Sequence, residues 1–213
     1  MVNTSPLDPR PVTATGDAGG LAVSRSGVGT RGGVLFAHGF GQSRHAWNAT
    51  ATLLAEAGYH TLAYDARGHG DSLWNPADLR YHGAQFTDDL IVLAGEQPQP
   101  PVLVAASMGG LFGLLAEARW PGLFRAMVLV DITPRWNAAG VERILGFMTA
   151  HPAGFASLDE AADVIAAYLP HRPRKSADSL RTLLREDGAG RWRWHWDPRL
   201  VAELAQDSAQ HQD

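Results

Sequence analysis

Ser107 lies in the run Ala105-Ala106-Ser107-Met108-Gly109-Gly110, between an apolar stretch and a second one with helical spacing. A serine hydroxyl attacks an acyl carbon when a base takes its proton, and it is best presented on a sharp strand-to-helix turn. That turn needs small residues two positions before and after the serine, because the backbone folds back there. Here they are Ala105 and Gly109; alanine replaces the usual first glycine and fits strained backbone less freely. A helix start also aims backbone N–H groups at a developing oxyanion. The other reading of the same residue is an ordinary helix N-cap. Asp131 ends a later apolar run, as a candidate acid or as a strand-end carboxylate bonded to loop N–H groups.

These groups act only if rigid elements place them. Residues 33–37, 60–64, 101–106 and 125–132 are short apolar runs, and residues 21–26 form a further strand candidate. Helices are expected over 45–57, with Trp47, Leu53, Leu54 and Ala57 near one face and Gly58 as terminator, within 81–94, and over 107–119. Alternating fully apolar strands and helices predict an α/β fold, a mostly parallel sheet with helices on both faces. After Pro134 the pattern turns helical, over 141–149, 158–169 and 177–185, with Pro152, Pro170 and Pro173 between. The expected division is a polar N-terminal arm (1–20), an α/β core (21–133), and a helical cap segment with a C-terminal tail (134–213).

Two further segments follow the first buried strands: His38-Gly39-Phe40-Gly41, and Tyr64-Asp65-Ala66-Arg67-Gly68-His69-Gly70-Asp71-Ser72. With Ala105-Ala106-Ser107-Met108-Gly109, and in this order, they resemble the H-G oxyanion turn, the D-x-R-G-H-G-x-S turn and the nucleophile elbow of the α/β-hydrolase family. The resemblance covers about residues 21–199. It implies an α/β-hydrolase fold with a helical cap and Ser107 as nucleophile. It also implies Phe40 and Met108 as backbone N–H donors of the oxyanion hole, and an acyl-enzyme formed on a small carboxylic ester or related acyl substrate. No cofactor is implied. Trp136, Phe147 and Phe155 are pocket-wall candidates, with the ladder Trp192, Trp194 and Trp196. His69 and His38 are expected to bond local backbone, His38 shaping the oxyanion loop.

In this family the acid and then the histidine follow the serine, commonly after two further strands. Downstream of the cap segment no apolar strand, acid turn or Gly-His turn is visible, and His211 reads as a tail residue. His171 and His195 lie in the cap segment and could reach over Ser107, so the catalytic histidine stays unassigned. The last strands of the fold are therefore expected to be missing and the 125–132 strand to be a sheet edge, inviting self-association. A truncated or inactive homologue, or a non-catalytic module completed by a partner chain, are the alternatives.

Composition narrows the classes. The 213 residues are 45% apolar and 19% charged, ordinary for a globular chain. A net charge of −4 gives no reason to expect nucleic acid or an anionic membrane as partner. The absence of cysteine excludes disulfides, thiolate nucleophiles and Cys-ligated metals. Nine histidines include no H-E-x-x-H or similar cluster, so no metal is expected. Gly27-Val-Gly29-Thr-Arg-Gly32 matches G-x-G-x-x-G but precedes a strand, so it reads as a turn. With no signal-like or membrane-spanning stretch visible, a cytoplasmic chain is the expectation.

Overall fold

The structure is a computed structural model that describes residues 11–14, 20–132 and 138–208. In chain order the elements are β1 (Pro11–Ala14), β2 (Leu21–Ser26), β3 (Gly33–Ala37), α1 (Asn48–Glu56), β4 (His60–Tyr64), α2 (Gly83–Gly95), β5 (Val102–Ala106), α3 (Met108–Arg119), β6 (Ala126–Val130), α4 (Ala138–Thr149), α5 (Leu158–Tyr168), β7 (Leu184–Glu186), β8 (Trp192–Trp194) and α6 (Arg199–Ser208). Short 3-10 turns at Arg44–Trp47 and Asp178–Thr182 precede α1 and β7.

Among the described residues one sheet runs in the order β1-β2-β4-β3-β5-β6. The four strands from β3 to β6 are parallel, and β1 and β2 add antiparallel at the far edge. Parallel strands need cover on both faces, which is why they read as unbroken apolar runs. On one face Leu35, Leu62 and Leu103 are buried beneath Phe86, Leu90 and Leu93 of α2, Phe112 and Ala116 of α3, and Leu200 of α6. On the other, Val34, Phe36 and Ala63 pack against Trp47 and, from α1, Ala51 and Leu54. That second face is bare over β6, where Val128 and Val130 are 49% and 40% exposed. The expected exposed edge is thus present among the described residues.

Three expectations are corrected. Residues 177–185 are not a helix: one 3-10 turn leads into the antiparallel β7–β8 hairpin. Leu53, expected on the buried face of α1, is 66% exposed, because that helix is short and packs through Ala51 and Leu54. Part of the expected arm, Pro11–Ala14, is a strand paired with β2.

A second core lies in the cap segment, where Phe155, Leu158, Ala161, Ala162, Ile165, Leu180 and Leu184 are buried together. The chain then returns to the sheet: Trp196 and Leu200 join the main core. Polar clips hold it there. Asp197 N–H donates to the Gly68 carbonyl at 2.8 Å, Tyr81 Oη to Asp197 at 2.9 Å, and Tyr81 N–H to Glu203 at 2.8 Å.

Candidate active site

Strand register gathers the candidate groups. Ala37 pairs with both Tyr64 and Ala105, and Ala106 with Val130. His38, Asp65, Ser107 and Asp131 therefore all leave the sheet at its carboxyl edge, where open α/β sheets build sites.

Ser107 has φ +45° and ψ −115°. A capping residue is extended and its side chain accepts from the helix; Ser107 is neither extended nor a side-chain cap. The N-cap reading therefore fails, and the hydroxyl is left exposed on a strained turn. The glycines after it explain how the turn closes. A Cβ on Gly109 would stand 2.7 Å from Ala37 Cβ and 2.8 Å from the Ala37 carbonyl oxygen, and one on Gly110 would stand 2.9 Å from Ile132 Cγ2. Helix α3 thus starts against the backbone of β3, where no side chain fits.

The loop after β3 runs beside the serine: a Cβ on Gly39 would lie 3.3 Å from Ser107 Cβ. Gln42 Oε1 accepts from Gly39 N–H at 3.1 Å and the Gly39 carbonyl accepts from Gln42 N–H, closing the loop on itself. Among the described residues neither Phe40 N–H nor Met108 N–H has an acceptor, so both donors stay free. The Phe40 ring packs edge-on to His69 at 5.2 Å and against Trp196 at 5.8 Å.

The loop after β4 is held by backbone bonds, such as Gly68 N–H to the Leu73 carbonyl at 2.8 Å and His69 N–H to the Ala66 carbonyl at 2.9 Å, and by a set of side chains. Asp65 accepts from Arg44 N–H at 2.7 Å, from the Arg44 guanidinium and from Asp71 N–H at 2.9 Å. Gly70, at φ +56°, has no alternative, since a Cβ would stand 2.1 Å from Asp65 Oδ2. Ser72 Oγ donates to the Asp65 carbonyl at 2.5 Å and accepts from Ala22 N–H at 2.9 Å. Arg67 grips buried Asp89 on α2 with two bonds, of 2.7 and 2.6 Å. Asp71 also pairs with Arg185 of the hairpin.

His38 and His69 are buried, and backbone occupies both nitrogens of each ring. His38 Nδ1 donates to the Gly39 carbonyl and its Nε2 accepts from Ala66 N–H. His69 Nδ1 donates to the Arg67 carbonyl and its Nε2 accepts from Gly41 N–H. Burial holds both rings below the ordinary histidine pKa, His69 well below it with the His38 charge as a further cause. His195 is buried 6.1 Å from His69 and sits at the loop after β4, with its pKa lowered to about 4 by burial and then by His38. His171 is exposed, and His211 lies outside the described residues. Among the described residues no histidine or carboxylate hydrogen-bonds Ser107 Oγ. Asp131 is exposed at φ +54°. No cluster of three or more metal-ligating side chains occurs among the described residues.

A cavity of about 730 Å³ opens between the loop after β4, the end of α4 and the hairpin, lined by Trp74, Met148, Trp194, Trp196 and Val201. The expected walls divide. Trp194 and Trp196 line it, whereas Trp192, Phe147 and Phe155 do not, nor does Ser107. Phe155 is fully buried in the cap core through its bridge to Trp192, and Phe147 stacks on Tyr168 at 4.0 Å. Trp136 lies outside the described residues. What sequence reasoning missed is Met148 and the part played by His195, whose contacts join residues more than a hundred positions apart.

A strained serine between a parallel strand and a helix, beside a loop with a free N–H, is the architecture of the alpha/beta hydrolase family. The chain belongs to that family, whose profile matches residues 34–211. It is 32% identical over 202 residues to an esterase of Mycobacterium tuberculosis, covering 89% of this chain and 64% of that protein. It is 35% identical to a monoacylglycerol lipase of Mycolicibacterium smegmatis, covering 72% of this chain and 61% of the lipase. The crystal structure of an alpha/beta hydrolase from Novosphingobium aromaticivorans superposes with a TM-score of 0.78 at 25% identity, covering 96% of this chain and 73% of that one. The chain thus spans under two thirds of the length of these two curated relatives. Among the described residues no helix is long and apolar enough to cross a membrane.

Proposed function

We propose that the chain is a serine hydrolase acting on a small carboxylic ester or related acyl substrate, through an acyl-enzyme on Ser107. The observation that carries the reading is the Ser107 backbone, at φ +45°, with a turn that leaves no room for a Cβ at Gly109. Strain of this kind persists where a function uses it. Ser107 Oγ would attack the acyl carbon, with Phe40 and Met108 N–H donating to the oxyanion; the ester C–O bond breaks, the alcohol leaves with the serine's proton carried through solvent, and water then cleaves the acyl-enzyme to the acid and restores the hydroxyl. Losing one such donor typically costs ~10²–10³ in rate. Asp131 is our candidate acid, one strand over from the serine. The cavity walled by Trp196, which also touches Phe40, falls in the size range of small-ligand sites and is assigned to the substrate's apolar part. The relatives' names, an esterase and a lipase, support the acyl class.

The test is covalent labelling with a fluorophosphonate, read by mass spectrometry, with Ser107→Ala as control. Slow, Ser107-dependent labelling is expected, since removing a triad member costs on the order of 10⁴ in rate. A folded sample that takes no label at Ser107 refutes the proposal. A second reading rests on the bare face and edge of β6: the chain pairs with a second copy there. Antiparallel pairing centred on Val128 would set Arg125 against the partner's Asp131, opposite charges at both ends. Light scattering that gives a monomer at all concentrations refutes it.

A further inference from the structure

Gly39 sits where the loop after β3 comes closest to the serine. A Cβ at this position would lie 3.3 Å from Ser107 Cβ and 3.3 Å from Gln42 Oε1, tighter than ordinary packing on both sides. The close approach therefore uses the residue with the freest backbone. That freedom has a consequence for the next residue. The Gly39 carbonyl and the Phe40 N–H belong to one planar trans peptide, so whatever fixes that plane fixes the direction of the candidate oxyanion donor.

Three hydrogen bonds converge on this glycine. Its carbonyl accepts from His38 Nδ1–H at 2.8 Å and from Gln42 N–H at 3.1 Å, and its own N–H donates to Gln42 Oε1 at 3.1 Å. Ala66 N–H bonds His38 Nε2 at 2.9 Å, which leaves the proton of the neutral ring on Nδ1. Two bonds to one oxygen fix that atom but leave the peptide plane free to pivot about it. The third bond acts on the other side of the Gly39 Cα, and it is made by a side chain. We propose that Gln42 is a positioning residue for the candidate oxyanion hole: its Oε1 holds the Gly39 N–H, removes the pivot, and so keeps the Phe40 N–H in one direction. Gln42 is exposed, so its side chain fills no core and can be changed without disturbing one. The importance of the Phe40 direction for catalysis rests on the hydrolase reading; the hydrogen bonds at Gly39 do not.

Two variants of similar length test the clamp. In Gln42→Glu a carboxylate oxygen keeps the acceptor for Gly39 N–H; in Gln42→Met the acceptor is gone. NMR at pH 7.5 follows the exchange of the Gly39 amide with water and the ¹⁵N order parameter of the Phe40 amide. In Q42M the Gly39 amide is expected to exchange about fivefold faster than in the parent. The Phe40 order parameter is expected to fall from the rigid range, about 0.85, to below about 0.6. In Q42E the Gly39 amide exchanges no faster than in the parent, and Phe40 stays in the rigid range. Equal responses in the two variants, the reverse order, or no change in Q42M overturns the proposal. So does exchange that quickens throughout the central sheet in Q42M, the mark of a merely structural role. Neither measurement needs turnover. A loop that responds as expected in a chain that takes no label at Ser107 supports the Gln42 role and removes only the hydrolase reading. Where turnover is measurable, Q42M lowers kcat about fivefold with KM little changed, because the oxyanion forms only in the transition state. A raised KM at unchanged kcat overturns the proposal.

Discussion

Replacing Ser107 with glycine is expected to stabilise the protein. At φ +45° and ψ −115° a residue with a Cβ carries ~1–3 kcal/mol of strain, and glycine carries almost none. Little else is lost, because the side chain is exposed and caps nothing. Against the gain stands the greater freedom of glycine in the unfolded chain, ~0.5–1 kcal/mol. The net is a gain of ~0.5–2 kcal/mol, or roughly 1–8 °C in Tm for a chain of this size. Ser107→Ala keeps the Cβ and therefore the strain, so it is the proper reference. The assay is thermal unfolding of the parent, S107A and S107G side by side, repeated in urea to check that the slope is unchanged. The reasoning requires S107G to melt above S107A. If S107G melts with S107A or below it, the elbow stores no strain and the reading of Ser107 as a residue held for chemistry loses its physical basis.

Other outcomes follow from the same coordinates. Gly109→Ala forces a Cβ to within 2.7 Å of Ala37 in the middle of the sheet and should cost ~1–3 kcal/mol in a urea titration; a neutral result would mean that α3 can slide. Asp89→Ala leaves the buried Arg67 guanidinium without its carboxylate and should cost ~3–5 kcal/mol, far more than loss of the exposed Arg119–Asp88 pair. His38, His69 and His195 all titrate below the ordinary histidine value in the folded state. The unfolded chain therefore binds more protons, and stability is full above about pH 6.5 and falls as pH drops toward 4, by roughly 3 kcal/mol for His195 alone. Urea midpoints that stay flat from pH 7.5 to 4.5 would contradict this. Val128→Lys, on the bare edge strand, should shift any self-association seen by light scattering toward monomer without lowering Tm.

The central strands could be read from the chain alone because a parallel strand covered on both faces must be apolar along its length, as Val34 to Ala37 and Val102 to Ala106 are. The elbow could be read because backbone crowding dictates its small neighbours. The β7–β8 hairpin could not. Each strand is three residues long, Leu-Arg-Glu against Trp-Arg-Trp, and its stability comes from Phe155 and Leu180 packing beneath it, not from local preference. His195 was equally hidden, since its place is set by a bond to Gly70, 125 positions away, and no spacing rule reaches that far. Phe155 misled for the opposite reason: a large aromatic in a cap suits a pocket wall and a cap core equally well, and only packing decides.

The long reach of these bonds also orders events in time. Ribosomes deliver chains at roughly 5–20 residues per second, and domains begin to fold from the N-terminal side. A nascent chain that has emerged as far as residue 190 already holds β2 to β6 and the Ser107 turn. It still lacks Trp196 against Gly41, the ring that receives Gly70 N–H, and the Asp197 carboxylate that receives Tyr81 Oη. At that rate the stretch from 190 to 197 takes roughly 0.4–1.4 s, during which the serine stands beside an unbraced loop. The emergence of residues 196 and 197 closes that interval, so the nucleophile turn is made before the frame that braces the loop beside it.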